Sequence, residues 1–172
     1  SDEVVGTVSG EGWSSTLRGD LAKAKPEFLS SRYTMAISGN TNAAIAPGGS
    51  GFGTVHFDAA GGAHFKGALA DGTKFNQRIP VSKNGLVPFY LPLYNGSGSL
   101  LSWLQLTNNS VSGDAIWIKK AAAKGLYQGG FTNIGTINGS SYSSTNASIL
   151  DIHQGIVTLS GGDLNGALTN DV

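Results

Sequence analysis

A series of turn signals at nearly even spacing constrains this chain more than any other feature. Asp71-Gly72, Asn84-Gly85, Asn95-Gly96-Ser97-Gly98 and Asn108-Asn109 punctuate runs in which apolar and polar residues alternate. Asp-Gly and Asn-Gly accept the positive φ that tight hairpin loops require. The runs are residues 53–58, 63–69, 74–82, 87–94, 99–107 and 111–119, with residues 59–62 as a further turn. Six strands at about ten-residue spacing read as an all-β, antiparallel up-and-down meander forming a β-barrel. A β-sandwich is the alternative, because it uses the same alternation. Pro80, Pro88 and Pro92 sit in or beside these strands. A missing donor breaks a central ladder, so these prolines are expected at edges, bulges or bends, with imperfect closure there.

The flanking segments are less regular. Residues 4–19 give two short strands around Gly10–Gly12, with Val5, Val8, Trp13 and Leu17 as inward candidates. Asp20 as N-cap and Pro26 as stop suggest a helical turn at 21–25, and residues 121–124 a second one. Residues 33–37 alternate as a strand, residues 39–51 form a loop, and Gly129-Gly130-Phe131 is a tight bend. Residues 132–148, rich in Ser, Asn, Thr and Gly, read as a polar, linker-like loop. Strand patterning returns over 149–172, at 156–159 and 164–168; these terminal strands are expected to close the barrel or to pair with an adjacent unit. A length of 172 residues fits a single module over 1–172.

Composition removes several function classes. Eleven basic and eleven acidic residues cancel, and charged residues make up only 13%, which argues against a nucleic-acid footprint. There is no Cys, hence no disulfide framework, thiolate metal site or Cys nucleophile. No run of about 18 apolar residues occurs, so membrane insertion is not expected. Residues 1–5 do not read as a leader, which is expected to have been removed or to lie upstream.

An ordered set of local motifs then carries a resemblance. These are Gly51-Phe52-Gly53-Thr54-Val55, Gly67-Ala68-Leu69-Ala70-Asp71-Gly72-Thr73, Val81-Ser82-Lys83-Asn84-Gly85, Pro88-Phe89-Tyr90-Leu91-Pro92-Leu93-Tyr94, Gly98-Ser99-Leu100-Leu101-Ser102-Trp103, Trp117-Ile118-Lys119 and Gly129-Gly130-Phe131. Together they make residues 33–168 resemble an uncharacterised β-barrel repeat domain of large exported modular proteins from environmental bacteria. Leu159-Ser160-Gly161-Gly162-Asp163-Leu164 looks like the start of an adjoining unit. The resemblance implies a secreted or cell-surface setting and no particular activity. Similar repeats often carry an aromatic just before the Pro of the Pro-Phe-Tyr element, where this chain has Leu86-Val87, which weakens an inherited aromatic ligand platform.

No catalytic constellation stands out, and the chain is expected not to be an enzyme. Glu3, Glu11 and Glu27 lie in the irregular first stretch, most Asp residues sit in turns, and Asp114 reads as a solvent-face carboxylate; none pairs as glycoside hydrolysis requires. There is no Gly-x-Ser-x-Gly elbow and no phosphate-cradling loop. His56 and His64 are expected as cross-strand neighbours on a polar outer face, since Val55, Phe57 and Phe65 take the apolar alternate positions. Two imidazoles without a third ligand do not make a metal site, and no cofactor is expected. Trp103 and Trp117 are expected to pack together inside. The remaining aromatics suggest stacking on sugar rings, with amides for the hydroxyls. The ligand-binding candidates are Tyr90, Tyr94 and Tyr127, with Asn76, Gln77, Asn95 and Gln105. The expected function is non-catalytic polysaccharide binding, the alternative a structural or adhesive module that associates with other copies of itself or with adjacent modules.

Overall fold

Alternating side chains force each strand to choose an inner and an outer face, and the register between strands decides which residues share one. The computed structural model describes residues 2–23, 29, 32–58, 60, 62–142, 154–160 and 164–171. Its strands are β1 (Glu3–Gly10), β2 (Trp13–Asp20), β3 (Ala22–Lys23), β4 (Arg32–Ser38), β5 (Ser50–Phe57), β6 (Ala63–Ala68), β7 (Lys74–Ile79), β8 (Val81–Ser82), β9 (Leu86–Leu93), β10 (Gly98–Leu106), β11 (Ser110–Lys119), β12 (Phe131–Ser141), β13 (Ile156–Leu159) and β14 (Leu168–Asp171). Eight of them form one antiparallel sheet in the order β7-β6-β5-β4-β12-β11-β10-β9, nearly closed into a barrel. The expected all-β meander is therefore present, with two more strands than the six at its centre. No helix among the described residues is long and apolar enough to cross a membrane.

The barrel is solid. Tyr33, Phe65, Phe89, Leu91, Leu100, Leu104, Leu106, Trp117 and Ile137 are fully buried, with Phe65 and Phe89 rings 4.9 Å apart. Eight strands leave an interior that side chains can fill, and here they do. Each large apolar side chain so buried contributes about 1.5–3 kcal/mol. Function is thereby displaced to the exterior and the barrel ends.

The two ends of the sheet order, β7 and β9, bound a seam. Pro88 and Pro92 share one parity on β9, so both missing donors fall on the same flank. Pairing with β10 runs from Leu86↔Gln105 to Leu93↔Gly98, which leaves the flank facing the seam for them. Imperfect closure was expected at these prolines, and this is where the ladder stops.

Four segments differ from expectation. Residues 132–141 are not a linker-like loop but most of β12, which pairs with both β11 and β4 and closes the barrel. Its inward positions are Asn133, Gly135, Ile137 and Gly139, and all but Ile137 are small or polar because neighbours already occupy the space: a Cβ on Gly139 would stand 2.7 Å from Val111 Cγ1 and collide with the Thr34 carbonyl. Residues 143–153, where the expected loop continues, lie outside the described set. Leu21 to Lys23 are extended rather than helical, because Ala22 and Lys23 ladder with Ser82 and Val81; residues 24–28 also lie outside the described set. Residues 121–124 are not helical: bends run over 123–126, closed by Ala122 N–H donating to the Gln128 carbonyl, and the short 3-10 turn falls instead at Tyr94–Gly96. Trp103 and Trp117 point to opposite sides of the sheet. Leu100 pairs with Trp117, so Trp117 shares the inner face with even-numbered β10 residues, while Trp103 is outside.

The chain divides into two compact units, Ser1–Tyr142 and Ser143–Val172. The second contains the β13–β14 ladder, whose later strand begins at Leu168 rather than at residue 164. In the first, β1 and β2 form a hairpin with Val4, Val8, Trp13 and Leu17 on one face and Glu3, Val5, Thr7, Thr16 and Arg18 on the other; Val5, Val8, Trp13 and Leu17, expected to point inward, are all exposed.

Gly139→Ala is expected to lower stability by about 1–3 kcal/mol through overpacking. Gly129→Ala, where an added Cβ meets nothing within 4 Å, serves as the near-neutral control in the same urea titration.

Candidate functional site

Once the core is filled, the outward residues define what the barrel presents. On β9–β12 they fall into register across four strands. Tyr90 stands opposite Leu101, Leu101 opposite Ile116, and Ile116 opposite Ile134. All four are exposed, at 50%, 41%, 43% and 76%. The next row carries Pro88 opposite Trp103, with Trp103 47% exposed. Tyr90 and Trp103 are diagonal cross-strand neighbours, within reach of one another's rings. A row of large apolar groups crossing four strands on an outer face is the unusual observation, since scattered exposed apolar residues are ordinary. Around it lie Asp114 opposite Thr136, and Gln105 and Asn138 each opposite Ser112.

The β4–β7 half of the exterior is different. Arg32, His56, His64 and Arg78 make one cross-strand row, and Thr34, Thr54, Lys66 and Asn76 the next. The His56 and His64 rings stack at 4.9 Å as the expected cross-strand pair. Asp58 accepts from Arg78 Nε at 2.7 Å and from Gly62 N–H at 2.8 Å, and lies 3.0 Å from His64 Nε2. These bonds, that from Arg78 foremost, hold the Asp58 carboxyl well below the usual range, and Asp58 in turn raises Arg78. This is an ion network; among the described residues no three His, Asp or Glu converge as metal ligands.

Four of the seven sequence-derived candidates meet in one place. Asn76, Gln77, Tyr94 and Asn95 line an open cleft of about 450 Å³ along the β7–β9 seam, together with Phe75 and Pro92. Tyr94 itself is committed to the fold. Its hydroxyl donates to Asp71 Oδ2 at 2.6 Å and accepts from Trp117 Nε1 at 3.1 Å, and Lys119 Nζ sits 5.7 Å from its ring centre. Burial, with the Asp71 carboxylate beside it, pushes the Tyr94 hydroxyl far up. Tyr94 and Asn95 both hold φ of 53°, a conformation costing of order 1 kcal/mol for a non-glycine residue, and these bonds sustain it.

The other three are dispersed. Tyr127 reaches across to the Ala43 carbonyl at 2.9 Å and packs edge-on against Phe131, latching a loop. Gln105 donates to the Asn84 and Leu106 carbonyls, bracing the β8–β9 turn. Tyr90 lies in the exposed apolar row. Trp103, Leu101 and Ile116 were missed as surface groups because β10 and β11 carry apolar residues on both parities and only the register separates them; Ile134 was missed because its strand, β12, was read as a loop.

No family model, curated protein or solved structure matches the chain.

Tyr94→Phe takes the partner from Asp71 Oδ2 and from the Trp117 N–H, while Thr73 N–H still donates to Asp71 Oδ1, and is expected to cost about 1–3 kcal/mol. The raised hydroxyl contributes stability that is fully present below its unfolded value near 10 and is lost as pH rises above it. The gap between wild type and variant should therefore narrow above about pH 10 in urea titrations.

Proposed function

We propose that this is a non-catalytic polysaccharide-binding module whose contact surface is the outer face of β9–β12. The single observation that carries this reading is the exposed Tyr90–Leu101–Ile116–Ile134 row with Trp103 beside it, on a barrel whose interior is full. Pyranose rings present flat C–H faces that stack on aromatic and aliphatic surfaces, while their hydroxyls bond to amides, hydroxyls and carboxylates. Gln105, Asp114, Thr136 and Asn138 supply such groups around the row. Tyr90 keeps the role read from sequence; Trp103 takes the one first assigned to Tyr94 and Tyr127. The resemblance to exported modular proteins agrees with a secreted or cell-surface setting, where polysaccharides are the abundant partner.

The test is retention on insoluble cellulose, chitin and xylan at low and high salt. Stacking predicts retention on at least one that survives high salt, and a loss of tenfold or more in the Tyr90→Ala, Trp103→Ala double variant, at about 1 kcal/mol or more per ring. Undiminished retention in that variant would place the contact elsewhere.

A second reading has its own observation. The β13–β14 hairpin leaves Ile156, Val157, Leu159 and Leu168 exposed, and a two-stranded hairpin is marginal alone. A self-associating module would cover it with another copy or an adjacent module. Oligomers that grow with concentration by light scattering, and disappear when residues 143–172 are removed, are its expected outcome; monomers at every concentration contradict it.

A further inference from the structure

The β4–β7 wall carries a charge imbalance that stacking on β9–β12 leaves unused. Arg32, Lys66, Lys74 and Arg78 all stand exposed on it, with His56 and His64 between the two arginines. Asp58 answers only Arg78 and His64. Among the described residues, no carboxylate lies within ion-pairing distance of Arg32, Lys66 or Lys74. In a chain whose acidic and basic residues are equal in number, interspersed signs would leave no such cluster, and a one-signed field of this kind attracts an oppositely charged partner.

The register gives the charges a spacing. Arg32, His56, His64 and Arg78 sit on four neighbouring strands, so successive positions are about 4.8 Å apart and the row spans roughly 14 Å. That step is shorter than the Debye length of about 8 Å at physiological ionic strength, so an approaching anion meets the row as one field. The next row, Thr34, Thr54, Lys66 and Asn76, offers hydroxyls, an ammonium and an amide. It runs into the β7–β9 cleft at Asn76, where Gln77 and Asn95 add amides and Lys74 another charge.

These features select among polyanions. A single nucleic-acid strand is held by stacking its bases on open rings. Here the two imidazoles are stacked on each other at 4.9 Å, and Phe52, the other exposed ring, stands two rows away beside Ala36 and Ala68. A polyuronate carries one carboxylate per sugar ring, advances by about one strand spacing per ring, and brings hydroxyls for the Thr and amide groups. Arg78 can serve such a chain while Asp58 holds it, because Asp58 takes the Nε donor and a guanidinium has others.

We propose that the β4–β7 wall binds an acidic polysaccharide, a uronate chain laid across the strands with its carboxylates on the Arg32–Arg78 row and Lys66, and its hydroxyls toward the Thr side chains and the cleft amides. The site is separate from the β9–β12 face: charge holds the polymer here, stacking there.

The full chain is tested by biolayer interferometry on immobilised polygalacturonate, on its methyl ester, which keeps the backbone and loses the charge, and on single-stranded poly(dT). The expected result is binding to polygalacturonate that falls roughly tenfold or more between about 50 and about 200 mM salt, with none to the ester and weaker binding to poly(dT). The Arg32→Gln, Lys66→Gln, Lys74→Gln variant should lose roughly tenfold at low salt, whereas Tyr90→Ala, Trp103→Ala should bind polygalacturonate as the unaltered chain does. Should the triple variant prove poorly folded, Lys66→Glu replaces it, with a loss of roughly threefold or more. No binding to polygalacturonate at low salt, equal binding to the ester, or binding untouched by these charge changes overturns the inference. Tighter binding to poly(dT) overturns it in favour of nucleic acid. Retention on neutral polymers that survives high salt bears on the β9–β12 face alone, so the two readings fail separately.

Discussion

Everything in this barrel depends on how closely its closing strand can approach its neighbours. A sheet of eight strands curls around a solid core only if the bulk on one strand is answered by slack on the next. Met35 on β4 and Val111 on β11 are bulky, and β12 answers with Gly139 between them, while Gly135 makes room for Ser38. The same exchange occurs where Gly53 and Gly67 make room for Met35 and Phe75. Closure is thus a property of paired volumes, and the strand that achieves it has the lowest share of apolar residues in the sheet. Asn133, the polar exception, finds company in Asn40 at 2.9 Å.

Filling the interior fixes where chemistry can happen. Because the inward parity is spent on packing, the outward parity is free to vary, and it has done so unevenly. One half of the wall carries Tyr90, Leu101, Trp103, Ile116 and Ile134; the other carries Arg32, His56, His64, Lys66 and Arg78. The net charge of zero conceals this division. The polar network at one end, from Trp117 through Tyr94 to Asp71, holds the β9–β10 connection in a shape that local preference would reject.

The central meander was legible because its turns are chemically explicit: Asn84-Gly85 delivers the positive φ of 80° at Gly85, with Leu106 N–H donating to the Gly85 carbonyl at 2.8 Å. The prolines marked the seam for an equally direct reason. By contrast, β12 was hidden, since its glycines and asparagine make sense only against Met35, Val111, Ser38 and Asn40, residues distant in sequence. The exposed aromatic was hidden differently. In Leu100-Leu101-Ser102-Trp103-Leu104 both parities look inward-facing, and sequence alone offers no way to choose. Asp20 looked like a helix cap because Asp often is one; the ladder between Ala22 and Ser82 decided otherwise.

The pairing of β12 with β4 has a mechanical side. The chain enters the barrel at Arg32 and leaves it after Ser141, and Tyr142 N–H still donates to the Arg32 carbonyl at 3.2 Å. Entry and exit lie next to each other at the same end, separated by about one strand spacing of 4.8 Å. More than a hundred residues therefore hang from the chain as a side-mounted bead that adds almost nothing to its contour length. Tension along the chain would strip the two-residue β3–β8 pairing and then meet the β4–β12 ladder one rung at a time, as a zipper is opened, so the barrel itself would open where its first and last strands meet.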